Sequence, residues 1–194
     1  MTTDPEQERL LQRLRKRDEV AFTEFVRLYQ DRVFALCVRM LNNRAEAEDV
    51  SQDVFVAVFK NIDSFRGESM LSTWLYRIAA NHCRNRIRYL SRRNHRQNTS
   101  LDDTWETEVN EHIGENLPRP DRVAEGKQLE SIIQQALAEL DEDQRLIVIL
   151  RDVDHLSYAE IGDILDLAEG TVKSRLFRAR LALRERVNRE YGDD

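Results

Sequence analysis

Trp74, Arg77, Asn81, Arg84, Asn85 and Arg88 recur at spacings of three and four, which places them on one face of a helix. Their types suit one task. An indole stacks on an unpaired base, amides bond base edges and guanidinium groups bond phosphates. Phe65 and Tyr76 add aromatic surface nearby. The plainer alternative makes Trp74 and Tyr76 core aromatics with solvated arginines around them. It accounts poorly for so one-sided a row of cations. A second set, Lys173, Ser174, Phe177 and Arg178, combines phosphate-binding cations with a hydroxyl that bonds phosphate or base edge. A third set is acidic: Asp49, Gln52 and Asp53, with Phe59 among polar neighbours. It is either an ordinary acidic helix surface or a docking face for a basic partner.

The elements that must position these sets are all helical. Only 6 glycines and 3 prolines occur, with no Asn-Gly or Asp-Gly hairpin signal. Ser157 and Glu160 have capping-box spacing and start a helix whose apolar face is Tyr158, Ile161, Ile164 and Leu165. Asp166 to Gly170 is a turn, and Gly170-Thr171 opens a basic helix. On it Val172, Leu176, Ala179 and Leu183 form a stripe facing the first helix, opposite Lys173, Ser174, Phe177, Arg178 and Leu181. This is a helix-turn-helix pattern; the alternative is an amphipathic hairpin with a solvated basic face.

Upstream, Leu10, Leu11 and Leu14 suggest a short helix, and Asp18 caps a second with Phe22, Phe25, Val26, Tyr29, Val33, Leu36, Cys37 and Met40 inward. Asn43 with Glu46 starts a third, burying Val50, Val54, Phe55, Val58 and Ile62. A loop pivoting at Gly67 leads to the Trp74 helix, whose inner face is Leu71, Leu75, Ile78 and His82. Further on, Leu129, Ile132, Ile133, Ala136, Leu137 and Leu140 mark a fifth helix, and Asp141 with Gln144 caps a sixth bearing Leu146, Ile147, Ile149 and Leu150.

The 194 residues suffice for one domain or two small ones. The net charge of −6 argues against a nonspecific nucleic-acid coat. Its distribution is more telling. Between Arg66 and Arg96 the single acid is Glu68, whereas between Asp102 and Glu125 acids dominate and only Arg119 and Arg122 oppose them. Two basic surfaces about an acidic segment suggest two contacts on one polyanion. The polar stretch from Arg92 to Arg122, with Pro118 and Pro120, reads as a flexible linker. The 2 cysteines, Cys37 and Cys83, are far apart in sequence, and no structural disulfide is expected. His82 beside Cys83 lacks a second ligand pair, so no metal and no cofactor are expected. No phosphate loop, nucleophile elbow or zinc set occurs, so no catalytic residues are assigned and an enzyme is not expected. No apolar run spans a bilayer and no leader pattern is present, so a soluble, cytoplasmic protein without membrane insertion is expected.

DVSQDVFVAVFKNIDSFRGES (49–69) with STWLYRIAANHCRNRIR (72–88), then LSYAEIGDILDLAEGTVKSRLFRARLALRE (156–185), closely resembles the bacterial sigma-70 family in its extracytoplasmic-function group. The resemblance covers nearly the whole chain. It implies an all-α fold of two small helical domains: region 2 at 6–93 and region 4 at 121–191, joined by an acidic linker at 94–120. It implies a monomeric promoter-specificity subunit whose partners are core RNA polymerase, promoter DNA and an anti-sigma factor. The alternative is a free-standing helix-turn-helix regulator. By resemblance, Asp49, Gln52, Asp53 and Phe59 meet the polymerase clamp. Phe65 through Ser72, including Arg66, form a pocket for a flipped base of the single-stranded −10 element. Trp74, Arg77, Asn81, Arg84, Asn85 and Arg88 contact that strand. The duplex −35 element is read from Thr171 onward by Lys173, Ser174, Phe177 and Arg178, with Arg175 and Arg180 near phosphates.

Overall fold

In the computed structural model, which describes residues 5–97 and 131–191, every regular element is a helix. The first four are α1 (Pro5–Arg15), α2 (Glu19–Leu41), α3 (Arg44–Asn61) and α4 (Leu71–Gln97), with a 3-10 turn at Ile62–Ser64. After the gap come α5 (131–138), α6 (Glu142–Val148), a π-helical turn at Ile149–Val153, α7 (Tyr158–Leu165) and α8 (Glu169–Tyr191).

The boundaries follow from local chemistry. Asp18 accepts from the backbone N–H groups of Val20 and Ala21 at the start of α2. Asn42 ends that helix in the left-handed conformation with φ 49°, which an asparagine tolerates better than most residues. Asn43 then caps α3 through the Glu46 N–H, but the Glu46 carboxylate turns to Arg86 instead of closing a capping box. Asp141 caps α6 through the Asp143 and Gln144 N–H groups. The Ser157–Glu160 capping box is complete: the Glu160 N–H donates to Ser157 Oγ and the Ser157 N–H to the Glu160 carboxylate.

Helices α1 to α4 pack into a bundle, with α2 against both α3 and α4. Its interior holds Phe25, Leu36, Met40, Val54, Val58, Leu71 and Leu75. Phe22, Val26 and Tyr29 are only partly buried at its margin. Helices α5 to α8 close a second bundle around Leu146, Ile147, Ile149, Leu150, Ile161 and Leu176. Ile133, expected inside, is 39% exposed because α5 and the turn after it meet their neighbours through Ala136, Leu137 and Leu140. Leu129 and residues 98–120 of the expected linker lie outside the described residues, while 94–97 continue α4.

The bundles join into one continuous core. Helix α4 packs against α7, and α2 touches α6. Arg145 ties the junction: its guanidinium donates to the carbonyls of Leu137 and Met40, one in each bundle, and to those of Ala138 and Leu140. Burial lowers its pKa from the ordinary value, the cost of drawing a guanidinium out of water.

Cys37 on α2 and Cys83 on α4 are fully buried, with sulfur atoms 3.7 Å apart. They are free thiols in contact. The hydrogen bond between them, and then burial, push the Cys37 thiol well above its ordinary value, so it stays protonated. Their 46-residue separation hid this pairing from the sequence.

Candidate nucleic-acid interface

The helix-turn-helix forms as its pattern requires. Val172, Leu176 and Ala179 are buried against the bundle, and Leu183 packs at its edge. Lys173, Ser174, Arg175, Arg178 and Arg180 lie on the exposed side, and Phe177 is 71% exposed. Thr171 sits partly buried in the first turn. Helix α8 begins at Glu169, one residue before the expected Gly170, because Ala168 O accepts the first N–H groups, from Thr171 and Val172.

The turn's decisive glycine is Gly162, which lies inside α7 and not in the turn itself. A Cβ there would stand 2.6 Å from the Leu167 carbonyl oxygen, whereas one at Gly170 meets nothing within 4 Å. The Leu167 N–H donates to Gly162 O, and Asp166 takes the left-handed conformation with φ 57°. The turn therefore folds onto α7 only because residue 162 has no side chain.

On α4 the expected strand-binding row is assembled on one face, and the structure adds detail. Trp74 is half-buried and packs on Phe65, with centroids 5.3 Å apart at 45°. Phe65, expected to offer stacking surface, is itself 4% exposed. It is a backing for Trp74 and not an open face, because the 3-10 turn directs it inward. Arg15 fixes this loop by donating to Phe65 O at 2.6 Å. Tyr76 is buried, and burial raises its hydroxyl pKa above the ordinary value. Arg66, Gly67 and Glu68 are exposed at the loop's tip, where Gly67 has φ 78°. Ser72 is half-buried beside them. Asn81 and Asn85 are exposed along the row.

The row's arginines are engaged. Arg77 donates to Asp163 O, Arg84 pairs with Asp143 at 2.6 Å and Arg88 with Glu142 at 2.8 Å. All three acceptors belong to the second bundle. Helix α4 is consequently buried over a wider band than the expected Leu71–Leu75–Ile78–His82 face, with Tyr76, Ala79, Ala80 and Cys83 inside and Ile78 and His82 only partly covered.

On α3, Asp49, Gln52, Asp53 and Phe59 share an exposed face as expected. Phe59 is 41% exposed, stacks edge-on against Phe22 and lies under the Arg17 guanidinium, 5.0 Å from its centroid. Val56, 49% exposed, falls between Asp53 and Phe59 and was missed. Its signal was available: an apolar residue three positions after Asp53 and three before Phe59. Arg86, from α4, reaches Asp49 at 3.4 Å. Among the described residues no cluster of three metal-binding side chains occurs, and no helix is long and apolar enough to cross a membrane.

Two family models match: Sigma-70 region 2 over residues 25–93 and Sigma-70 region 4 over 130–183. The chain is 36% identical over 177 residues to the ECF RNA polymerase sigma factor SigW of Bacillus subtilis, covering 91% of this chain and 94% of the relative. It is 38% identical to the ECF RNA polymerase sigma-E factor of Escherichia coli K12, covering 92% of each. Among solved structures, it resembles the sigma factor RpoE in complex with the anti-sigma factor NepR from Bartonella quintana, with TM-score 0.68 and 26% identity, covering 86% of this chain and 96% of that one. CnrH in complex with the cytosolic domain of CnrY shares the fold, with TM-score 0.65 and 21% identity, over 97% of this chain and 99% of that one.

Proposed function

The chain belongs to the sigma-70 family, in its extracytoplasmic-function group, and from that premise we propose how its surfaces divide the work of promoter selection. It is a promoter-specificity subunit: it binds core RNA polymerase, recognises the −35 and −10 elements and starts transcription. Region 2 spans 6–93, the acidic linker 94–120 and region 4 121–191. The subunit works as a monomer in the cytoplasm, without catalysing a reaction of its own.

Asp49, Gln52, Asp53 and Phe59, with Val56 added, dock on polymerase. Exposed carboxylates steer toward a basic partner, and the two apolar side chains supply the area that holds it. Trp74, backed by Phe65, stacks on the single-stranded −10 element. Asn81 and Asn85 bond base edges, and Arg77, Arg84 and Arg88 bond phosphates. Arg66 and Ser72 line the flipped-base pocket. Flipping costs a few kcal/mol, which stacking at about 1–3 kcal/mol per base offsets. Lys173, Ser174, Phe177 and Arg178 read the −35 major groove, with Thr171, Arg175 and Arg180 on the backbone. An anti-sigma factor, like the one in the similar complex from Bartonella quintana, would hold the subunit by covering these surfaces.

The observation that carries this reading is the exposed face of α8, where Phe177 stands in solvent among cations while Val172, Leu176 and Ala179 opposite are buried. The test is run-off transcription with core polymerase on a genomic library from the source organism. New, specific start sites are expected with this protein, and Asp53→Arg should abolish them by blocking core binding while the fold persists. Neither transcription nor core binding from the wild-type chain would replace the reading with a free-standing regulator.

A further inference from the structure

Among the described residues, four that are not glycine take a positive φ: Arg17 at 60°, Asn42 at 49°, His155 at 57° and Asp166 at 57°. Asparagine, aspartate and histidine are the types enriched in that left-handed region. Arginine is not, so Arg17 is the outlier, and such strain persists where surrounding contacts over-determine it. Arg17 lies in the short turn between α1 and α2, and its side chain crosses to the far end of α3. There its guanidinium makes three contacts. It donates to the Phe59 carbonyl, pairs with Asp63 at 2.6 Å and stands over the Phe59 ring, 5.0 Å from the centroid. The Phe59 carbonyl belongs to the last turn of α3, where carbonyls lack partners within the helix and the helix dipole favours a cation.

Attachment of the turn does not require these contacts. Leu11 and Leu14 of α1 are buried, and Arg15 already ties α1 to the 3-10 turn through the Phe65 carbonyl. What Arg17 adds is a fixed Phe59. That ring is edge-on to Phe22, with centroids 5.1 Å apart, and lies under the guanidinium, yet it keeps 41% exposure. We propose that Arg17 is a positioning residue for polymerase docking, holding the Phe59 ring in the orientation that meets core RNA polymerase. This rests on the assignment of Phe59 to the docking face. A ring ordered before binding spares the complex the entropy of ordering it. Asp63 balances the Arg17 charge, so the cation sets no net repulsion against the basic partner that Asp49 and Asp53 suit.

The test measures the affinity of the full chain for core RNA polymerase, by competition with the fluorescein-labelled wild-type chain, together with thermal denaturation. Glycine relieves the positive φ and removes every contact of the side chain, so Arg17→Gly separates strain from function. It should melt at or above the wild-type temperature and yet bind core about three- to tenfold more weakly. Phe59→Ala should weaken binding about tenfold or more. In the Phe59→Ala background, Arg17→Gly should have less than about a twofold further effect, because no ring remains to be positioned. An Arg17→Gly chain that binds core as tightly as wild type, or that melts lower, would overturn the proposal. So would an equal loss with and without Phe59, which would make Arg17 a separate polymerase contact. If Phe59→Ala itself leaves core affinity unchanged, the docking assignment of Phe59 falls and the proposal falls with it.

Discussion

Helices α4 and α8 carry similar residues on the faces proposed for DNA, yet the fold leaves them in opposite states. On α8 the proposed reading face is open: Phe177 is 71% exposed and Lys173 and Arg178 stand beside it. On α4 the arginines are already paired with oxygens of the other bundle. The difference teaches that a basic helix face is not by itself an available one. Availability depends on what the rest of the chain places opposite. On α8 the opposite stripe takes all the packing, so the polar face is left over. On α4 packing runs around most of the circumference, because α2, α3 and α7 all contact it.

The contrast breaks most severely if α8 loses its seat. Leu176→Ala should destabilise the second bundle by about 2–5 kcal/mol, since it deletes a side chain that is 2% exposed. Its neighbour Phe177→Ala should change stability by no more than about 0.5 kcal/mol, yet cost about 1–3 kcal/mol of −35 binding with relaxed preference at one position. Urea denaturation and binding to promoter variants measure both halves. Equal stability losses would erase the division between stripe and reading face.

A smaller effect is expected at the turn. Gly162→Ala forces a Cβ against a backbone oxygen that cannot swing aside, which should cost about 1–3 kcal/mol and shift α8. Gly170→Ala meets no such obstacle and, in a helix, should be neutral or stabilising by about 1 kcal/mol. Thermal denaturation of the pair tests whether the close approach or the helix start needs glycine.

The junction beneath α4 gives a pH signature. Asp154 has one carboxylate oxygen buried without a partner, and burial raises its pKa above the ordinary value, against the pull of Arg39, Tyr76, Arg32 and His155. The folded chain thus binds this proton more tightly than the unfolded one. Stability from this group is present below the ordinary carboxylate value and falls as pH rises through the raised one. Asp154→Asn should remove that part of the pH dependence, read as urea midpoints that fall less as pH rises above the ordinary carboxylate value. The smallest effect belongs to the exposed pair Arg180–Asp152: Asp152→Ala should cost less than about 1 kcal/mol and vanish in high salt.

Much of this was legible because helical periodicity and capping are local. Asp18, Asn43, Asp141 and Ser157 announce their helices through spacings of a few residues, and each makes the backbone contact expected of it. The α8 stripe was equally plain, since an apolar side and a basic side differ in composition. Phe65 was less legible. An aromatic beside a candidate pocket reads alike whether it faces the ligand or supports the residue that does, and here the 3-10 turn buries it. Gly162 and the Cys37–Cys83 contact were invisible for a related reason: each is defined by a neighbour's position in space.

The sequence by itself determined the helices, their caps, the acidic face of α3 and the two basic faces, because those follow from side-chain type at fixed spacing along a chain. Tertiary structure alone decided that Arg77, Arg84 and Arg88 meet the second bundle, that Asp143 lies between Arg84 and Arg175, and that Arg145 joins the bundles through the Met40 carbonyl, 105 residues away. Such pairings depend on how amphipathic surfaces of two bundles fit together. That fit is set by shape and burial summed over many residues, and no local spacing encodes it.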